Sequence, residues 1–267
     1  MIDVFDTIWF GDANFPLSEE VFETLLSGGR NHVVVMPTTM RKTQVTPGHA
    51  YAQYDTRLSR ANANWRNVDP AHLAQQVVGA RTSWEFDSPW VFCNEISHSQ
   101  WRASANEEYR VWAVAFAQAL AGAGLVPALY SPVPFPLSES DKWSALAAAG
   151  YVAVEGYLNP ADVVSASDPA DYCRTQYASI ASHYQAQGVP VDRCVLVEHY
   201  AQTADGLGRG RGGLALNDWL KVIDARVAGA SAAGFSVLGS YAWGYNQMAV
   251  ADSEIVATAR RYVEATA

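Results

Sequence analysis

The sequence predicts an α/β protein built as a single (β/α)₈ (TIM) barrel, irregular around its third strand. From residue 90 onward, short apolar runs alternate with longer segments whose apolar residues recur every three or four positions. That alternation is the pattern of a parallel sheet with crossover helices. The chain has 267 residues, close to the typical length of one such barrel. No composition shift, internal repeat or low-complexity tract divides it, so residues 1–267 read as one domain.

IDVFDTIWF (2–10) and HVVVMP (32–37) read as the first two strands, with the helix SEEVFETLLSGG (18–29) between them. Residues 38–68 contain Pro47, Gly48 and many Asn, Arg and Thr, and no segment there has the makeup of a strand. A third strand in this stretch is therefore expected to be short and irregular, or missing. A loop of that length in a compact domain is expected to be a lid or binding loop. AHLAQQVVGAR (71–81) is a helix.

Five strand–helix units follow: strands over 90–96, 125–130, 151–157, 193–200 and 235–243, with helices over 106–124, 138–150, 168–188, 214–234 and 252–265. Gly122 and Gly124 stop the first of these helices. Asp168 is the expected N-cap of the third, with Pro169 in its first turn and Gly188 as its stop. A doubly wound open sheet would need a glycine-rich turn after the first strand, and GDANFP (11–16) offers one glycine.

Composition narrows the function. Hydrophobic residues make up 49% and charged residues 17% of the chain, an ordinary globular balance. A net charge of −9 argues against a nucleic-acid partner, which needs clustered Lys and Arg, and is compatible with a neutral sugar. The three cysteines form no CxxC spacing, and Cys93 and Cys194 fall inside strands, where core packing is expected. No secretory-signal pattern and no apolar run of ~20 residues is visible, so the reading is a soluble chain with no membrane partner. It is cytoplasmic or part of a larger exported assembly, and the sequence fixes no oligomeric state.

In barrel enzymes the C-terminal strand ends converge on one mouth. Here they offer Asp12 with Trp9 just inside it (strand 1), Asn94 and Glu95 (strand 4), Tyr130 (strand 5), Glu155 and Tyr157 (strand 6), Glu198 and Tyr200 (strand 7), and Trp243 (strand 8). Flat aromatic faces beside acids and amides suit a sugar: rings stack on the former and hydroxyls bond the latter. Trp243, Trp101, Trp65 and Trp9 are expected near the cleft. The glycine- and arginine-rich segment 204–213 is expected to be a mobile loop over it.

An Asn-Glu pair ending strand 4, a Glu ending strand 7 and a Trp ending strand 8 resemble clan A, the (β/α)₈-barrel retaining glycoside hydrolases. The resemblance covers residues 90–245 and rests on few positions. It implies Glu95 as general acid/base, Glu198 as nucleophile, Asn94 on the sugar 2-hydroxyl, Tyr157 orienting the nucleophile and Trp243 as a sugar platform. It implies a polysaccharide or oligosaccharide substrate and no cofactor. The arginine and histidine signatures that several clan families carry on early strands are missing before residue 90. The apolar neighbours Phe92, Cys93 and Ile96 would favour a protonated Glu95, and a tyrosine hydroxyl would favour an ionised Glu198.

Two other readings compete. A metal-dependent barrel hydrolase would draw on Asp12, Glu95, Glu155 and His199, but no HxH or comparable ligand spacing supports it. A non-catalytic barrel would bind glycan or act as a structural module of a larger assembly.

Overall fold

The computed structural model describes residues 3–7, 20, 24, 32–37, 51–84, 88–102, 107–131, 140–199, 210–241 and 252–267. Its strands are β1 (Asp3–Thr7), β2 (His32–Pro37), β3 (Tyr51–Asp55), β4 (Trp90–Cys93), β5 (Val126–Ser131), β6 (Tyr151–Glu155), β7 (Cys194–His199) and β8 (Val237–Tyr241). They pair in parallel in sequence order, and β8 returns to β1, with Val4 opposite Leu238, so the sheet closes on itself. The helices are α1 (Arg57–Ala61), α2 (Pro70–Trp84), α3 (His98–Arg102), α4 (Glu107–Gly122), α5 (Ser140–Ala149), α6 (Pro160–Ser165), α7 (Pro169–Gln185), α8 (Leu216–Ala232) and α9 (Asp252–Thr266).

β3 is where sequence and structure part. It is a paired strand, with Met36 opposite Gln53 and Tyr54 opposite Phe92. Its residues YAQYD lack an apolar run because two of its buried positions are polar. Gln53 donates from Nε2 to Asp55 Oδ2 (2.8 Å) and to Val77 O of α2 (3.2 Å). Asp55 in turn accepts from Arg57 N (2.8 Å) and forms an ion pair with the Arg57 guanidinium. Hydrogen bonds thus satisfy the Asp55 carboxylate and the Gln53 amide nitrogen where other strands present aliphatic side chains, while Gln53 Oε1 stays buried without a partner among the described residues.

Elsewhere the local chemistry matches the elements. The Asp168 side chain accepts from Asp171 N at 3.0 Å, capping α7 ahead of Pro169. The sequence missed the short helices α1, α3 and α6; α6 is capped by Asn159 accepting from Ala161 N.

Two apolar layers hold the barrel. Ala52, Tyr54, Phe92, Ala128, Tyr130, Ala153, Val195, Val197 and Val237 fill its interior, with Trp90, Tyr151 and Tyr157 packed against them. The opposite strand faces, including Val91, Cys93, Leu129, Val152, Val154, Cys194 and Leu196, join the helices in a second cluster. Successive residues of a strand point to opposite faces, so this division fixes the direction of every rim residue on β6 and β7. Each large side chain fully buried in these layers contributes ~1.5–3 kcal/mol. α7 and α8 approach closely where Gly229 faces Cys173.

Candidate functional site

The rim segment after β4 is pinned through its backbone. Asn94 N donates to Asp55 O (2.8 Å) and Ile96 N to Tyr130 O (2.9 Å). Glu95 O accepts from Asn62 Nδ2 (2.9 Å). Ser97 N donates to Tyr109 Oη (2.9 Å), whose hydroxyl donates to Asn62 Oδ1 (2.7 Å). The Glu95 side chain stands exposed on this frame, whereas Phe92, Cys93 and Ile96, expected to surround it, are buried elsewhere. Asn94 is half-buried, with Nδ2 3.4 Å from Ser59 Oγ.

Tyr130 is 2% exposed and belongs to the floor of the mouth. Its ring meets Tyr54 edge-on at 6.1 Å and lies 6.3 Å from Phe92. On β6, Val152 and Val154 face the helices while Ala153 faces the interior. Alternation therefore puts Glu155 on the inner face, where it is half-buried. Tyr157 packs against the interior cluster, and its ring lies 6.0 Å from that of His199 in a T-shaped arrangement. Tyr157 has φ +20°, an unusual value for a residue with a side chain.

Glu198 points the other way. Val195 and Val197 line the barrel interior and Cys194 and Leu196 face the helices, so Glu198 faces the helices and His199 the interior. Its side chain is 3% exposed. Oε1 accepts from Tyr177 Oη of α7 (2.5 Å) and from Leu158 N (3.2 Å). Oε2 accepts from His199 N (3.3 Å) and lies 3.5 Å from Arg226 Nη1 of α8. A tyrosine hydroxyl does meet this carboxylate, as the sequence suggested, but it is Tyr177 from the helical ring and not Tyr157. Glu95 and Glu198 are thus not brought together. One is exposed at the rim after β4, and the other is buried behind β7.

Trp101 and Trp65, expected near the cleft, are core residues instead. Trp101 packs on Trp143 at 4.3 Å and Trp65 edge-on to Tyr109 at 5.5 Å. Trp9, Asp12, Tyr200, Trp243 and the segment 204–209 lie outside the described residues. Among the described residues, no group of three His, Cys, Asp or Glu side chains could hold a metal ion, and no helix is long and apolar enough to cross a membrane. Glu155 and His199, secondary candidates in the sequence, both end on the inner face of the barrel by strand alternation.

No family model matches the chain, and no curated protein matches it. Solved structures do. The C-terminal domain of a putative chitinase from Desulfitobacterium hafniense DCB-2 matches with TM-score 0.63 and 11% identity, covering 100% of both chains. An endo-beta-N-acetylglucosaminidase from Cordyceps militaris matches at TM-score 0.55 and 12% identity, over 100% of this chain and 91% of its own. A GH5-4 broad specificity endoglucanase from an uncultured bacterium matches at TM-score 0.55 and 12% identity, over 100% of this chain and 94% of its own. At these identities the likeness is one of fold: the chain is similar in architecture to enzymes named for glycan cleavage.

Proposed function

We propose that this protein hydrolyses a glycosidic bond of a polysaccharide or oligosaccharide, with Glu95 as general acid and Glu155 as the second carboxylate. The observation that carries the reading is the presence of unlike groups at the C-terminal ends of three strands of one parallel barrel. Glu95 and Asn94 follow β4, Glu155 ends β6 with Tyr157 two residues on, and His199 ends β7. A sugar needs this mixture, and two carboxyl groups flanking the bond supply the acid and the base or nucleophile. The fold neighbours support the substrate class.

The clan resemblance implies a double displacement with Glu198 as nucleophile. A nucleophile must reach the anomeric carbon, and the Glu198 carboxylate is turned toward Tyr177 and Arg226. Glu155, on the inner face, has the shorter path. The anomeric configuration of the first product, read by proton NMR, then reports whether Glu155 attacks the sugar or activates water.

The test is a screen of aryl glycosides and oligosaccharides, followed by Glu95→Gln, Glu155→Gln and Glu198→Gln on the best substrate. Loss of a positioned acid or base should cost about 10²–10⁴-fold in kcat at Glu95 and at Glu155. Full activity in either variant would refute the assignment. A sugar covalently trapped on Glu198 would restore the clan mechanism. Glycan binding without turnover would make the barrel a binding module.

A further inference from the structure

Glu198 and Arg226 divide between them the backbone groups of two strand ends. Glu198 accepts from Leu158 N (3.2 Å) and His199 N (3.3 Å). Arg226 donates to the carbonyls of the same two residues: Nη1 to His199 O and Nη2 to Leu158 O, each at 2.6 Å. Leu158 follows β6 and His199 ends β7, so one buried ion pair closes four hydrogen bonds across neighbouring strands. Tyr177 fixes the carboxylate from α7 at 2.5 Å. Gly156 packs so tightly on this group that a Cβ there would lie 3.0 Å from Glu198 Oε1 and 3.2 Å from Tyr177 Cε1.

The pair holds Leu158, the residue that follows an unusual backbone. Tyr157, at φ +20°, sits between Gly156 and Leu158. Such a conformation is strained and persists where the surroundings over-determine it. Here Gly156 N donates to Val197 O (2.7 Å) on one side, and both polar groups of Leu158 are taken on the other. The result of the clamp is the Tyr157–His199 ring pair.

We infer that Glu198 and Arg226 are positioning residues, which staple the ends of β6 and β7 so that Tyr157 and His199 are presented to the mouth as one rigid pair. The assignment of the mouth as the reaction site rests on the function proposed above; the staple itself does not. Both residues act from behind the strands and do not touch substrate.

The test needs no substrate in its first arm. In Glu198→Gln, one of the two accepting oxygens becomes an amide nitrogen and the charge facing Arg226 is lost; the remaining oxygen keeps the bond to Leu158 N or to His199 N, and the other bond is lost. Amide exchange at whichever of Leu158 and His199 loses its acceptor should then quicken about tenfold or more, while Ile96, bonded to Tyr130 O, keeps its rate. The ring NMR signals of Tyr157 and His199 should shift together. Tyr177→Phe, which removes one contact and leaves the ion pair, should show the same pattern at smaller size and serves if Glu198→Gln fails to fold. Exchange that rises equally at all three amides, or ring signals that stay in place, overturns the staple. In the second arm, on an aryl glycoside that the wild type turns over, Glu198→Gln should lower kcat about 10–100-fold, with KM nearly unchanged. Complete loss, with sugar trapped on Glu198 in the wild type, overturns the positioning role. If no glycoside is turned over, the first arm still decides for or against the staple.

Discussion

Replacing Gly229 with alanine should destabilise this protein, although the residue lies inside a helix where alanine is normally the better choice. An exposed helical glycine costs about 0.5–1 kcal/mol relative to alanine, so helix propensity alone predicts a gain. The packing opposes it. A Cβ at 229 would lie 2.5 Å from Cys173 Cβ, 2.7 Å from Arg174 N and 2.9 Å from the Cys173 carbonyl carbon. Carbon atoms rest at about 3.5–4.0 Å, so α7 and α8 would have to separate by about 1 Å. Two of the three obstructing atoms are backbone and cannot rotate aside. Overpacking of a tight contact costs about 1–3 kcal/mol, which leaves a net loss of up to about 2.5 kcal/mol after the propensity gain. For a chain of this size that lowers Tm by up to about 10 °C. Gly79, in the middle of α2, has nothing within 4 Å of its virtual Cβ, and Gly79→Ala should raise Tm by about 1–4 °C. Thermal unfolding followed by circular dichroism measures both. Equal shifts of the same sign would refute the reasoning, because the two substitutions differ in packing alone.

Arg226→Met should cost about 3–5 kcal/mol in urea unfolding, since it leaves the Glu198 carboxylate buried without its cation; a loss under ~1 kcal/mol would show the pair to be dispensable. Tyr109→Phe removes the hydroxyl shared by Ser97 N and Asn62 Oδ1. It should cost about 1–3 kcal/mol and lower turnover by loosening the segment that carries Glu95, with unchanged kinetics on the best aryl glycoside as the contrary result. Burial pushes the Cys173 thiol up to about 12, with the Glu198 charge adding to the shift and Arg226 opposing it; burial and then Asp192 push Cys194 to about 12. A raised folded pKa contributes stability that is whole below the ordinary thiol value of 9.0 and disappears as pH climbs toward about 12. Tm should therefore decline across that window, and Cys173→Ser with Cys194→Ser should flatten the decline. Turnover should survive exhaustive EDTA dialysis, because two carboxylates need no cation; activity lost and then restored by Zn²⁺ would favour metal chemistry instead.

Much of the barrel is legible in the sequence because most strands are apolar on both faces and α7 carries an ordinary Asp168–Pro169 cap. β3 was hidden by Gln53 and Asp55: Asp55 is held by the nearby Arg57, but the burial of Gln53 depends on Val77, 24 positions away, which no local pattern links to it. The site was legible as a set of residue types and less so as a set of directions. In CVLVEHYA both faces of the strand are buried, so periodicity could not tell whether Glu198 or His199 faced inward. The answer comes from Tyr177 and Arg226, 21 and 28 positions away in the chain, whose meeting with Glu198 exists only in the folded state.

The filled interior of the barrel has a consequence for traffic. Tyr54, Phe92 and Tyr130 plug the space beneath the rim, and Val195, Val197 and Ala128 fill in around them. The barrel is a cup and not a pipe. A polymer cannot thread it; it can only lie across the opening like a beam over a well. On the function proposed above, incoming sugar, arriving water and departing fragment would all use the same door. Whatever covers the rim controls entry and exit together.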